Sequence, residues 1–151
     1  MQVSQLGGRP RQTGQMQLSI VVRNGPDVGR AQLGEIPATA VRQVDAHNVL
    51  VDTGALVLCL PANMIAALGL PFERVVHTET ATGPGTARLF SQAQLEVRGR
   101  RGIFECLETP EGTLPLLGAV PMEMLGIEPD LKNRTIRLLP DEPGNTYFLI
   151  Y

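Results

Sequence analysis

The alternation of apolar and polar positions divides this chain into many short extended segments and two short helical ones. Met16 to Arg23 (MQLSIVVR) alternates and then turns apolar, which predicts a strand. NGPDVG follows as a turn or loop. Ile36 to Val44 is a second extended segment, weakened by Pro37. Asn48 to Val51 is a third, fully apolar, and Leu56 to Leu60 resumes the pattern. Pro61 suits the first turn of a helix. Met64, Ile65 and Leu68 fall on one face of that helix, and Gly69 stops it. ERVVHTETATGPGTARLFSQAQLEV then places two polar, Thr-rich arms around TGPG, which predicts a long, exposed hairpin. Leu95–Val97 and Ile103–Leu107 form a further pair around RGRRG. TLPLLG is a short apolar strand. AVPMEMLGIEPD opens a second helix with Val120, Met124 and Leu125 on one face. KNRTIRLLP and NTYFLIY read as closing strands. Many short strands with two short helices predict one mostly-β domain over 16–151, preceded by a Gly-, Gln- and Arg-rich mobile segment at 1–15.

Composition narrows the function classes. With 43% apolar and 19% charged residues in 151, the chain is globular and can bury a core. A net charge of −2 gives no broad basic surface for nucleic acid or anionic membrane. No apolar run approaches a transmembrane span. The N-terminus lacks the apolar core of a signal peptide, so a cytoplasmic protein is expected. Cys59 and Cys106 sit in apolar contexts and read as buried, reduced thiols. With no CxxC, no HExxH and only His47 and His77, no zinc-ligand pattern is present.

One acid stands out. In NVLVDTGALVLCLP, Asp52 interrupts an apolar run, where a charge is costly unless paired, hydrogen-bonded or protonated. Asp52-Thr53-Gly54 alone is weak, since D-[ST]-G arises by chance in on the order of a few per cent of chains this size. A plain turn is the simple alternative. The apolar strands on both sides, however, predict a turn inside the protein.

Taken with its surroundings, the chain resembles a retropepsin, the single-domain aspartic protease of retroviruses and of stand-alone bacterial relatives. The resemblance runs over roughly 16–140. Its sharpest points are Val51-Asp52-Thr53-Gly54-Ala55 and, some sixty residues on, Leu116-Leu117-Gly118. It implies a closed β-barrel-like acid-protease fold with two short helices. It implies an endopeptidase that uses no cofactor or metal and acts by a water held between two carboxyls, without an acyl-enzyme. In such a pair one carboxylate takes a proton from water while the other carboxyl donates one. Two close carboxyls share a proton and titrate together. Gly54 lets the chain turn tightly. In the family the Thr53 hydroxyl bonds across to the neighbouring loop; capping its own turn is the alternative. Ala55, Leu116, Leu117 and Gly118 would support the catalytic loop.

This chain has a single D-[ST]-G, and Asp27, Asp45, Asp130 and Asp141 read as polar loop acids. The second Asp52 is therefore expected from a second copy, in a two-fold homodimer with the site on the axis. Thr82-Gly83-Pro84-Gly85 would be the tip of a flap over a peptide substrate, or simply a surface hairpin; Pro84 departs from the Gly-rich tips of the family. Ala55, Val57, Thr82 and Val120 are candidate pocket walls for apolar side chains. Asn145–Tyr151 is expected as a dimer strand, with an intramolecular strand or a disordered tail as alternatives. Other classes remain open: an idle retropepsin-like module for dimerisation or peptide binding, an unrelated β-barrel binding domain, or a cysteine hydrolase on Cys59 or Cys106.

Overall fold

The computed structural model describes residues 16–140, so the expectations for 1–15 and for Asn145–Tyr151 lie outside it. Strand β1 (Gln17–Asn24) buries every second side chain, Leu18, Ile20, Val22 and Asn24. It pairs antiparallel with β2 (Gln43–Val51). The two strands expected at 36–44 and 48–51 are replaced by one continuous strand that begins at Gln43. Ahead of it lies a short 3-10 turn at Ala38–Ala40. A register shift between Leu18 and Ile20 leaves Ala46 and Val49 as the buried positions of β2, three residues apart. That spacing hides the strand's continuity from a period-two reading.

The expected NGPDVG loop is helix α1 (Gly25–Gln32). Asn24 is its N-cap, accepting from the Asp27 amide at 2.9 Å, and Pro26 sits in the first turn. These residue types serve turns and helix starts alike, which explains the misreading. Strand β3 (Leu58–Pro61) leads into α2 (Ala62–Leu68), with Pro61 at the N-cap and Gly69 closing the helix in the left-handed region at φ 61°.

Strands β4 (Phe72–Thr80) and β5 (Gly83–Val97) form the long hairpin. Its tip is Ala81-Thr82, so TGPG lies one step past the expected turn: Gly83, Pro84 and Gly85 pair with Thr80, Glu79 and Thr78. The Thr80 hydroxyl closes the tip by bonding to the Thr82 amide and the Gly83 carbonyl. Strand β6 (Arg100–Thr109) follows a two-residue turn, Arg98-Gly99, both with positive φ, as a tight hairpin requires.

Strand β7 (Leu116–Leu117) precedes α3 (Ala119–Met124). Pro121, Met122 and Leu125 face the core, whereas Val120 and Met124 are 47% and 53% exposed. The expected apolar face of Val120, Met124 and Leu125 is thus mostly turned outward. Beyond α3 the chain forms a hairpin of β8 (Ile127–Asp130) and β9 (Thr135–Leu138). β9 was expected, whereas β8 lies in residues read as helix.

The main sheet runs β1-β2-β7-β3-β6-β5-β4, and β5 also pairs with β1. Six strands thus close into a barrel, from which β4 and the outer half of β5 extend as a ribbon. Leu58, Leu60, Leu68, Leu95, Leu117, Val22, Val49 and Val97 fill the interior.

Candidate active site

The site is built where two distant segments cross. β2 and β7 lie parallel, with Val51 beside Leu117, while β7 runs antiparallel to β3, with Leu117 beside Leu58. Parallel neighbours need a long crossover between them. Here that crossover runs from Asp52 to Pro115 and holds β3, α2, the ribbon and β6. Asp52 leaves the end of β2, and its amide donates to the Leu117 carbonyl at 3.1 Å. Farther along the same loop, Ala119 donates to the Ala55 carbonyl at 2.8 Å and Val120 to the Leu56 carbonyl at 2.9 Å. Gly118 passes between them. A Cβ there would lie 2.5 Å from the Val57 oxygen and 2.7 Å from the Ala55 oxygen, so only glycine fits.

Within the loop the Asp52 Oδ1 accepts the Gly54 amide at 2.9 Å, and the Ala55 amide donates to the Asp52 carbonyl at 3.1 Å. The carboxylate is therefore aimed by its own turn. Leu116 and Leu117 anchor the second segment between β2 and β3. So Asp52, Gly54, Ala55, Leu116, Leu117 and Gly118 form one constellation. Thr53 is exposed and makes no side-chain hydrogen bond among the described residues.

The expectation of a fully interior acid is corrected. Asp52 is only partly buried, and Thr53, Gly54 and Leu56 are exposed. The apolar flanks are strands, but the loop joining them opens to the surface. Leu56 is 69% exposed, and the backbone bond from Val120 sets the two side by side. Met124 follows one helical turn after Val120. Leu56 escaped sequence reading because it stands at the head of an apolar run otherwise destined for the core.

Of the wall positions, Ala55 and Val57 are half-buried, and Thr82 and Val120 are exposed. Thr82, Gly83, Pro84 and Gly85 sit on the ribbon, and among the described residues no hydrogen bond joins them to the Asp52 loop.

Asp141 lies outside the described residues; Asp27, Asp45 and Asp130 are committed elsewhere, and all three lie in regular elements rather than loops. Asp27, in α1 and 4% exposed, accepts from the Arg42 amide, Nε and Nη2 at 3.0, 2.8 and 3.0 Å. The Arg42 guanidinium holds its carboxyl below the usual range against the opposing effect of burial. Asp45 lies within β2 and accepts from Gln43. Asp130 ends β8, where Asn133 binds it and lowers its pKa.

Cys59 and Cys106 are free and buried. Burial, and next the Asp52 charge, push the Cys59 thiol up to about 11, and burial likewise raises Cys106 well above the ordinary range. Neither is a thiolate at neutral pH, which disfavours nucleophilic use. No group of three His, Cys, Asp or Glu among the described residues could hold a metal ion. No helix among them is long and apolar enough to cross a membrane. A scan against protein-family models found no match, and a search of curated proteins likewise found none.

Proposed function

We propose that this chain is one half of an aspartic endopeptidase of the retropepsin type, active as a two-fold homodimer. The observation that carries the reading is the crossing at Asp52. An acid whose Oδ1 takes the Gly54 amide is locked, through its own amide, to Leu117, beside a Gly118 with no room for a side chain. A surface turn that happened to contain Asp, Thr and Gly would need none of this bracing. The closed six-stranded barrel with a protruding ribbon supports the same reading.

The aspartic mechanism of peptide hydrolysis, with no covalent intermediate, uses two carboxyls, one protonated. Asp27 is held by Arg42, and Asp130 by Asn133, so neither is free to serve. The second acid is Asp52 of another copy. Exposed Leu56, Val120 and Met124 beside the loop support an interface on this face, since apolar side chains clustered at a surface mark association. In the dimer the paired acids hold a water between them. One carboxylate removes its proton as it attacks the peptide carbonyl, and the other carboxyl protonates the carbonyl oxygen. The ribbon lies over an extended peptide and excludes bulk water.

The test is Asp52→Asn, assayed on a library of unstructured peptides, with sedimentation run in parallel. Loss of about 10²–10⁴-fold in hydrolysis with an unchanged dimer is expected. Full activity in Asp52→Asn would overturn the reading. A wild-type dimer that binds peptides without cleaving them would make the chain an idle module of the same fold.

A further inference from the structure

The ribbon of β4 and β5 leaves the barrel where Leu89 pairs with Leu107. From Arg88 outward, β5 has β4 as its sole strand neighbour among the described residues, and β4 pairs with nothing else. β6 meanwhile turns away to follow β3, pairing Glu108 with Leu60 and Thr109 with Pro61. At this fork the strand ladder stops, and side chains take over. Arg88 donates from Nε and Nη2 to the two Glu108 oxygens at 2.8 and 2.6 Å, a bidentate, charge-assisted pair. The Glu108 side chain is 15% exposed and that of Arg88 57%. A second, longer contact joins Arg74 to Glu105 at 3.6 Å. Arg88 also lies over the Phe90 ring, 5.2 Å from its centroid, and Phe72 meets that ring edge-on.

Two further features surround the pair. An open cleft of about 320 Å³ lies between Val75 and Thr86 at the ribbon root and Ala62 and Pro110 at the barrel end, with Arg88 and Glu108 on its wall. The root is therefore bridged to the barrel end without being packed against it. Below the fork, β5 carries a bulge: the register with β6 slips between Phe90 and Ala93, and Gln92 has φ 62°. Gly25, at the start of α1, is pressed against the Gln92 carbonyl, where a Cβ would come within 2.6 Å. The bulge is thus held from the barrel side while everything beyond Leu89 is free of the ladder.

We propose that the Arg88–Glu108 pair is a latch that sets the position of the ribbon. When it parts, the ribbon swings about the fork at Leu89, where the β5–β6 ladder ends, and the open cleft at its root supplies the room. The latch is electrostatic, so its strength falls with ionic strength: Arg88 is more than half exposed and its charge is open to screening. The ribbon answers to the latch whether or not the chain cleaves peptides.

Hydrogen exchange of the full chain, read by mass spectrometry on peptides covering 74–87 and on barrel peptides covering 93–97, tests this. In Glu108→Gln and Arg88→Gln the ribbon amides are expected to exchange about two- to fivefold faster, with the barrel amides unchanged. In the wild-type chain the same ribbon amides should speed up on going from low salt to about 0.5 M sodium chloride, and in the two variants clearly less, since only the longer Arg74–Glu105 contact is left to screen. Ribbon exchange that ignores both salt and substitution overturns the latch. So does acceleration spread equally over ribbon and barrel, which would make the pair an ordinary contributor to global stability. The wild-type salt series needs no variant to fold.

Discussion

The α-carbon of Gly118 faces the Val57 carbonyl so closely that a methyl group on it would stand 2.5 Å from the oxygen. Neither side can yield cheaply. Val57 leads directly into buried Leu58, and Gly118 follows buried Leu117. Gly118→Ala is expected to cost about 1–3 kcal/mol, as overpacking of a tight site does. It should also displace Asp52, because Leu117 and Asp52 share a backbone bond. Urea denaturation measures the first effect. On the proposed function, a peptide-cleavage assay of the folded fraction measures the second, and activity per folded molecule should fall at least tenfold.

Asp27 ties α1 to the chain ahead of β2 through three donors from Arg42. Its folded pKa is depressed, chiefly by the Arg42 side-chain hydrogen bonds. A depressed carboxylate stabilises the fold above its unfolded pKa of about 3.9 and loses that contribution as pH falls through the folded value. The urea midpoint of the wild-type chain should therefore drop steeply below about pH 4. Asp27→Asn should lower the midpoint at neutral pH and flatten that acid limb. The limb should not vanish, because Glu96, held down by Arg23 and Arg101, titrates in the same direction. An acid limb identical in the two proteins would exclude Asp27 as its source.

Leu56 spends 69% of its surface on solvent in the single chain. Leu56→Glu should leave the thermal midpoint of the isolated chain nearly unchanged, as surface substitutions do. If this face is the two-fold interface, the same change buries a charge in the dimer and weakens association by at least tenfold. Sedimentation velocity over a dilution series distinguishes the outcomes. A dimer that forms as well with Glu as with Leu at position 56 would place the interface elsewhere.

Cys59 is a thiol of pKa about 11. At pH 7 its thiolate fraction is on the order of a hundredfold below that of a free cysteine, so alkylation of the folded chain should be correspondingly slow. Burial is the larger cause and the Asp52 charge the second. Asp52→Asn should consequently lower the Cys59 pKa and quicken alkylation, more at pH 9 than the loss of structure alone would do. Mass spectrometry of iodoacetamide-treated protein across pH 7–10 checks this, with Cys106 as the internal control.

Local chemistry was legible in the sequence, and matters of facing were not. Gly69 stops α2 because a left-handed residue is needed there, and any reader of the sequence can see the glycine. The Asp52–Gly54 turn and the Leu117-Gly118 step could both be singled out, because each is defined by adjacent residue types. Asn24-Gly25-Pro26-Asp27 could not be assigned, since caps and turns draw on the same residues. β2 looked like two strands because its own bulge, between Ala46 and Val49, broke the alternation. Val120 and Met124 looked like core because their exposure depends on which side of α3 meets the barrel. The pairing of Arg88 with Glu108 depends on where β5 and β6 part company, which no local pattern records.

The parallel seam between β2 and β7 also sets a timetable. Asp52 and the Leu117 carbonyl that holds it are roughly sixty-five residues apart, and contacts of such separation form late because a large loop must close first. On a ribosome, Asp52 emerges long before its brace does. A nascent chain that ends short of Leu116 carries the acid but not its alignment. In the hydrolase proposed above, the acid is therefore unbraced until the second segment has been made.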